Sequence, residues 1–403
     1  MGKQALEGIK VLEFGLYMAT PATCALLAHH GAEVIKVETS TRLDDHRRLG
    51  PFKDDIIKPE YSIRFHRYNS GKYGITLNLR HPRGVEVARR LVTKVDVVAD
   101  GFATGSLDRL GLGYEELKKV KPDIIMLSAT TGGQTGPLAN LSTFGSHSAA
   151  FAGFTNLAGL PDRDPVDLYP YVDYIQVHFN LLTLLAALDY RRRTGKGQHI
   201  DISHLEPGIG FLSPLVLDYI VNKRVAERMG NRSPYAAPHG LYRCLGDDRW
   251  CAIAVFTDEE WRSLCRVMGD PEWTKDAKFA TLMGRKENED ELDRRIESWT
   301  NNYSPEEVMT LMQAAGVAAG VVKNGRDIFY DPQLNHRHNF WMLNHSIIGD
   351  VPYRNPFCKL SKTPGEVRMP APNLGEHNEY VYTKLLGMSN KEYAELLAEG
   401  VFK

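Results

Sequence analysis

The sequence predicts an α/β fold with a doubly wound parallel sheet, because short apolar segments alternate with helix-like ones along its first half. The strand-like segments lie around Val11 and at Glu33–Glu38, Gly74–Leu79, Val95–Asp100 and Asp123–Ala129. Helix-like segments separate some of them, at Pro21–His30 and His81–Lys94. Strands that alternate with helices form parallel sheets, and right-handed crossovers place helices on both faces.

A longer helix is predicted over His178–Arg193, followed by a strand at His199–Ser203. Arg191, Arg192 and Arg193 would occupy the last turn of this helix, where the helix dipole favours positive charge. Gly31 is expected to follow the end of the first helix, because glycine adopts the left-handed conformation found there.

The chain is expected to divide into two domains, because its composition changes near Lys223. Residues 224–250 are rich in Pro, Gly and Arg, and a strand near Trp250 and charged helices follow. We therefore expect a large domain over residues 1–222, a smaller α+β domain over 223–330, and a segment 331–403 that completes the large domain.

Charge and composition exclude several classes of protein. The 49 basic and 50 acidic residues give a formal net charge of -1, so no broad surface for nucleic acid or membranes is expected. The apolar segment Phe179–Leu188 is about half as long as the ~20 residues of a membrane span. The five cysteines form no CxxC pair, and the first residues do not resemble a signal peptide, which together predict a cytoplasmic protein.

Several catalytic motifs are missing. Residues 15–20 read GLYMAT where a dinucleotide-binding domain would have GxGxxG, and no GxxxxGK[ST] loop occurs. Ser146 and His147 are adjacent but lie outside any GxSxG motif, which argues against a hydrolase triad. His336 and His338 lack the cysteine pair or acidic cluster of a metal site, so no metal is expected.

Asp173 is the most informative acidic residue, because Tyr169, Pro170, Tyr171 and Val172 precede it at the start of an apolar helix. One interpretation is a helix N-cap, worth about 1 kcal/mol. The other is a partly desolvated carboxylate that attacks an acyl group. The position alone favours the cap and leaves both interpretations open.

Ordered segments along nearly the whole chain resemble the class III CoA-transferase family, also called the CaiB/BaiF family. They include LEGIKVLEF, ATPATCALLAHHGAEVIKVE, NSGKYGITLNL, SLDRLGLGYEEL, AFAGFTNLAG, RRRTGKGQHIDIS, GNRSPYAAPHGLYRC and PAPNLGEHNEY. The most specific part is TGKGQ with an aspartate upstream. The resemblance makes the nucleophile the better interpretation of Asp173.

The resemblance implies a Rossmann-like large domain that binds CoA, an interlocked dimer, a CoA thioester as co-substrate, and no metal. In such enzymes the aspartate matched by Asp173 forms a mixed anhydride with the donor acyl group and then an aspartyl-CoA thioester. The partners would be an acyl-CoA and a carboxylic acid.

The same resemblance implies residues that bind CoA. Arg109, in SLDRLG, matches a position that contacts the nucleotide part, and Arg48 or its neighbour Arg47 is expected to act similarly. Tyr17, Met18 and Ala19 match a loop along the thioester, whose N–H groups are expected to face the developing oxyanion.

Departures from the family pattern point to the substrate. Met18 stands where some relatives have glutamine, Asp100-Gly101 replaces a glutamate-asparagine pair, and a glycine-rich flap near Gly230 is missing. These differences argue against oxalate or formate. An apolar first loop suits a larger acyl group, so we expect succinyl-CoA to activate an aromatic succinate such as benzylsuccinate, as in anaerobic degradation of aromatic compounds.

Two alternatives stay open. A 2-methylacyl-CoA racemase would use a histidine together with the aspartate, but this chain has Phe144 at that position and His147 is out of register. The chain could also be the active subunit of a heteromer with a related chain. The resemblance therefore predicts either a homodimer or a heteromer.

Overall fold

The computed structural model describes residues 4–141 and 143–403. The chain forms two compact units. The larger comprises the residues up to Thr155, Asp167–Val225 and Pro332–Lys403, and the smaller comprises Asn156–Val166 and Ala226–Asp331. The change in composition near Lys223 did not predict that Asn156–Val166 belongs to the smaller unit.

The larger unit is built on a six-stranded parallel sheet with strand order β3-β2-β1-β4-β5-β6. Its strands are β1 (Lys10–Phe14), β2 (Glu33–Glu38), β3 (Lys72–Thr76), β4 (Val97–Asp100), β5 (Ile125–Thr130) and β6 (His199–Ser203). The chain winds outward from β1 in one direction and then from β4 in the other. The predicted doubly wound sheet is confirmed, and its topology leaves a crevice beyond the carboxyl ends of β1 and β4.

Ten helices precede the smaller unit's sheet along the chain. They are α1 (Ala19–His29), α2 (Ile63–Asn69), α3 (Pro82–Val92), α4 (Ser106–Arg109), α5 (Tyr114–Val120), α6 (Gly145–Phe151), α7 (Phe154–Leu157), α8 (Tyr171–Thr194), α9 (Leu205–Phe211) and α10 (Ser213–Asn222). Short 3-10 turns lie at Asp45–Arg47, Lys53–Asp55 and Pro59–Tyr61.

Several element boundaries differ from the sequence prediction, among them those of β3 and α8. Strand β3 begins at Lys72, earlier than predicted, and ends at Thr76. Helix α8 begins at Tyr171, seven residues before the predicted start, with Pro170 as its N-cap.

The sheet is buried on both faces, which explains why its strands are apolar at consecutive positions. Leu12 and Ile35 face one core with α3 and the C-terminal residues, whereas Val11 and Val34 face another with α1 and α8. The C-terminal segment is tied to the sheet, since the Tyr382 hydroxyl donates to the Thr76 carbonyl at 2.8 Å.

The last part of the larger unit adds an antiparallel pair of strands, two helices and a π-helical segment. Their bounds are α16 (Pro332–His336), β10 (Phe340–His345), β11 (Gly349–Arg354), the π-helical segment Tyr380–Leu385 and α17 (Asn390–Ala398). Phe65 of α2 packs in one cluster with Val351 and Tyr353 of β11.

The smaller unit has a three-stranded antiparallel sheet and five helices. They are β7 (His239–Arg243), β8 (Trp250–Ala254), β9 (Ala318–Val321), α11 (Asp258–Val267), α12 (Leu282–Glu287), α13 (Glu289–Thr300), α14 (Pro305–Ala314) and α15 (Gly325–Phe329), with 3-10 turns at Glu272–Lys275 and Ala277–Phe279. Trp261, Phe279 and Ile296 lie in its core. Across the described part of the chain, no helix has the length and apolar character needed to cross a membrane.

Candidate active site

A cavity of about 1110 Å³ lies at the carboxyl ends of the parallel strands, within the larger unit. Each of the six strands is followed closely by a residue that lines it. In strand order along the chain these residues are Leu16, Thr39, Asn78, Gly101, Thr131 and His204. The cavity therefore occupies the place where open α/β sheets bind their ligands.

Asp173 lines this cavity and lies in the first turn of α8. The helix N-cap is Pro170, so Asp173 is not the cap that its position in the sequence allowed. The residue is only 9% exposed. The positive end of the helix dipole favours a negative charge here. A largely buried carboxylate in a cavity wall has the position required of a nucleophile.

Gly145, the first residue of α6, lies against this carboxylate. A Cβ atom at this position would be 2.5 Å from Oδ2 of Asp173 and 2.8 Å from Cα of Pro170. Both distances are shorter than real Cβ contacts allow. Only glycine therefore lets α6 approach the start of α8 this closely.

His204 is a site residue that the sequence analysis missed. Its Nδ1 atom lies 3.3 Å from Oδ1 of Asp173. The backbone of His204 is fixed because its N–H donates to the Thr130 carbonyl at 2.9 Å. Its position directly after β6 was the available signal, because side chains that follow parallel strands meet at one edge of the sheet.

The first loop passes along the cavity through Tyr17, Met18 and Ala19. That these residues lie along the thioester stays a prediction. Tyr17 has a φ of 63°, in the left-handed region. Its N–H donates to Oδ1 of Asp44 at 3.3 Å and so is already engaged. The N–H groups of Met18 and Ala19, at the N-terminus of α1, are the better candidates to face an oxyanion.

Buried charged side chains form a network next to this loop. Nζ of Lys36 lies 3.0 Å from Asp44 and 3.3 Å from Glu13, and it donates to the Gly15 carbonyl at 2.7 Å. Nζ of Lys72 lies 2.7 Å from the other oxygen of Glu13. Burial alone would lower the pKa of Lys36, but Glu13 and Asp44 raise it above its ordinary value. Lys36 is thus a cation that connects the loop to Asp44.

The predicted arginines occupy different environments. Arg109 lines the cavity, and its Nη2 donates to the Ser106 hydroxyl at 3.1 Å. Arg48 is exposed and is not among the residues found to line the cavity. Arg47 is buried and pairs with Glu38 at 2.8 Å and Glu60 at 2.6 Å, so its charge is already neutralised. Four further arginines line the cavity and were missed: Arg42, Arg64, Arg67 and Arg80.

Aromatic rings form the wall near Asp173. The Tyr17 ring is 5.5 Å from that of Phe144, and His46 stacks on Tyr68 at 5.1 Å. The Tyr68 and Tyr174 hydroxyls are 3.1 Å apart. Burial lowers the pKa of His46 to about 4, so its ring is neutral at pH 7.

The described residues contain no group of three or more His, Cys, Asp and Glu side chains arranged to hold a metal ion.

Comparisons with known proteins find relatives along nearly the whole chain. Succinyl-CoA--D-citramalate CoA-transferase of Chloroflexus aurantiacus is 34% identical over 407 residues, with 98% of each chain covered. The beta subunit of succinyl-CoA--L-malate CoA-transferase from the same organism is 31% identical, again with 98% of each chain covered.

A solved structure shows the same fold. The crystal structure of a CaiB/BaiF family protein from Brucella suis matches with a TM-score of 0.86 and 31% identity, covering 95% of this chain and 100% of that one. The model of CoA-transferase family III matches residues 6–378. This chain therefore belongs to CoA-transferase family III.

Proposed function

We propose that this enzyme transfers CoA from succinyl-CoA to a substituted succinate, and that Asp173 carries CoA covalently between the two acids. The observation that carries the proposal is the position of Asp173. It is a largely buried carboxylate at a helix N-terminus. It lies in the wall of the cavity at the carboxyl ends of the six parallel strands.

In the first half of the reaction, a carboxylate oxygen of Asp173 attacks the thioester carbonyl of succinyl-CoA. The C–S bond breaks, CoA leaves as a thiolate, and a mixed anhydride of Asp173 and succinate forms. The thiolate then attacks the aspartyl carbonyl of the anhydride. Succinate leaves as a carboxylate, and Asp173 is left as a CoA thioester.

The second half repeats these steps with the acceptor. Its carboxylate attacks the aspartyl thioester, the thiolate leaves, and a second anhydride forms. The thiolate attacks the acceptor carbonyl of this anhydride, which yields acceptor-CoA and regenerates the Asp173 carboxylate. Each intermediate is open to hydrolysis, and the burial of Asp173 limits the access of water.

Residues of the cavity support binding of the CoA part. Arg109 presents a guanidinium whose planar fork suits a phosphate group. Met18 and Ala19 present N–H groups at the start of α1, where charge develops on the thioester oxygen. Arg42 and Arg80 are two more cations on the same wall.

The names of the relatives support a succinate-like acid, since malate and citramalate are both hydroxylated succinates. The aromatic wall formed by Tyr17, Phe144 and Tyr68 is compatible with the larger benzyl substituent predicted from the sequence.

An assay with a panel of acids tests whether the acceptor is a hydroxylated succinate or benzylsuccinate. The enzyme is incubated with succinyl-CoA and each of benzylsuccinate, citramalate, malate and acetate, and the new CoA thioesters are quantified by mass spectrometry. We expect at least one substituted succinate to be converted far faster than acetate. Preference for acetate would overturn this assignment of the acceptor.

The racemase alternative is disfavoured by one residue of the cavity. Phe144 lines the cavity at the position where the family resemblance would require the histidine of a racemase. Proton exchange of an α-methylacyl-CoA in deuterated water, without any acceptor acid, would instead support the racemase.

The exposed apolar surface of the larger unit supports a dimer. Helix α10 exposes side chains that are normally covered, namely Val216, Leu217, Tyr219, Ile220 and Val221. Their occupant in this proposal is a second copy of the chain. Light scattering should give about twice the 45.3 kDa chain mass. Co-purification of a related subunit instead would indicate the heteromer.

A cytoplasmic location and a role in anaerobic aromatic degradation stay predictions.

A further inference from the structure

Arg64 lies in the cavity wall beside the segment that carries Asp173, and no catalytic step described above uses it. We infer that Arg64, held by Tyr169, binds the distal carboxylate of a dicarboxylic acyl group while the other carboxyl group reacts at Asp173. This inference rests on the proposed function and adds a residue that selects dicarboxylic over monocarboxylic acids.

Arg64 is hydrogen-bonded to the segment that precedes the nucleophile. Arg64 is a half-buried residue of α2, and its Nη1 donates to the Tyr169 hydroxyl at 3.1 Å. Tyr169 stands four residues before Asp173. Its N–H donates to Oδ1 of Asp167 at 2.7 Å, and its carbonyl accepts from the N–H of Tyr171 at 2.6 Å. The backbone of Tyr169, whose hydroxyl accepts from Arg64, is therefore bonded to the start of α8.

The charge of Arg64 is available to a ligand. Among the residues that the structure describes, no carboxylate oxygen lies within 4.0 Å of the Arg64 guanidinium, the limit for an ion pair. Arg47, on the preceding segment, shows the opposite arrangement, since Glu38 and Glu60 neutralise it. A half-buried guanidinium without a carboxylate partner is well suited to bind an anion that the protein itself does not supply.

The groups that face Arg64 do not compete for this role. The positive charge of Arg64 contributes to the lowering of the pKa of His46, after burial, so this ring is neutral at pH 7. Tyr68 is a phenol whose pKa is raised, chiefly by burial and then by its hydrogen bond to Tyr174. Arg67, on the next turn of α2, adds a second positive charge over the rings of Tyr68 and Tyr174 at 5.5 and 5.4 Å.

The anion is a carboxylate of the acyl group rather than a phosphate of CoA, because Arg64 is bonded to the segment that leads into Asp173. Arg80, on the loop after β3, and Arg109, at the end of α4, also line the cavity and remain available for the phosphates. Succinate and the substituted succinates both carry a second carboxylate. Arg64 therefore serves donor and acceptor in turn, as they occupy the cavity one after the other.

The test compares two donors that differ in the distal carboxylate, succinyl-CoA and butyryl-CoA. For each, the rate at which CoA becomes attached to the full-length enzyme is measured by intact-protein mass spectrometry in the absence of acceptor. We expect the wild type to prefer succinyl-CoA. The R64Q variant should lose about 30-fold in rate with succinyl-CoA and change little with butyryl-CoA, because an ionic hydrogen bond is removed. R64K keeps the positive charge but lacks the planar guanidinium, so its rate with succinyl-CoA should lie between those of the wild type and R64Q.

Matched variants separate this role from a structural one. R192Q removes an exposed arginine that pairs with Asp189 at 2.9 Å, and it should behave as the wild type. Tyr169→Phe removes the hydroxyl that holds Arg64 and should reduce the preference for succinyl-CoA. Equal slowing with both donors in R64Q, or an unchanged preference, would overturn the inference. If the wild type forms no adduct with either donor, the proposed function fails first and the inference falls with it.

Discussion

The Nδ1 atom of His204 lies 3.3 Å from Oδ1 of Asp173, and the two residues reach this contact from different elements of the fold. Asp173 belongs to the first turn of α8, and His204 follows β6. The His204 ring therefore lies beside one oxygen of the nucleophile. We predict that His204→Ala slows formation of the aspartyl-CoA adduct by about 10- to 100-fold, as expected when a charged group loses a polar partner. Rapid-quench mass spectrometry measures this rate.

The matched control for His204 is His336→Ala, because His336 is exposed in α16 and is not among the residues that line the cavity. Its adduct rate should equal that of the wild type. If both histidine variants were as fast as the wild type, the contact would have no role in positioning Asp173.

Gly145→Ala should disable the enzyme without unfolding it. The added methyl group would lie 2.5 Å from Oδ2 of Asp173, so the carboxylate or α6 must move. A displacement of about 1 Å costs on the order of 100-fold in rate. Turnover with succinyl-CoA measures the loss, and circular dichroism checks the fold. Gly325→Ala is the control, since its Cβ meets nothing within 4 Å; equal activity of the two variants would contradict the close approach.

Lys36→Met should destabilise the protein by about 3–5 kcal/mol, because it leaves the buried carboxylates of Glu13 and Asp44 without their shared cation. Urea unfolding should show a lower midpoint. Lys53→Met, which removes an exposed partner of Asp54, should change stability by less than about 1 kcal/mol. A Lys36→Met variant as stable as this control would show that the buried network contributes little.

Asp100 should make the protein less stable as the pH rises. Burial, followed by the nearby charge of Asp108, raises the pKa of Asp100 from 3.8 to about 7. The folded chain then binds more protons than the unfolded chain between these values, so unfolding becomes easier by up to about 1.4 kcal/mol per pH unit.

The variant Asp100→Asn removes this titration. Between pH 5 and pH 8 the wild type should therefore lose more unfolding free energy than the variant does. Identical pH dependence in both proteins would show that Asp100 titrates normally.

Most of the sheet was predictable because a parallel strand covered on both faces must be apolar at consecutive positions. The segments around Val11 and at Glu33–Glu38 carry that signal directly. The start of α8 was harder to predict, since its first turn contains two tyrosines and an aspartate rather than an apolar pattern.

The site was only partly predictable, because it is assembled by topology. Asp173 was found from the family resemblance, which matches a local segment. His204 stands 31 positions later, and Arg64 stands 105 positions before its partner Tyr169. No local pattern connects such residues, and only the order of the strands brings them to one cavity.

The most direct test of the account is to trap the covalent intermediate. The enzyme is incubated with succinyl-CoA, treated with hydroxylamine and digested, and its peptides are analysed by mass spectrometry. We predict that hydroxylamine converts Asp173 alone to a hydroxamate, and that Asp173→Asn neither forms the adduct nor transfers CoA. Full transfer activity in that variant, or a hydroxamate at another residue, would contradict it.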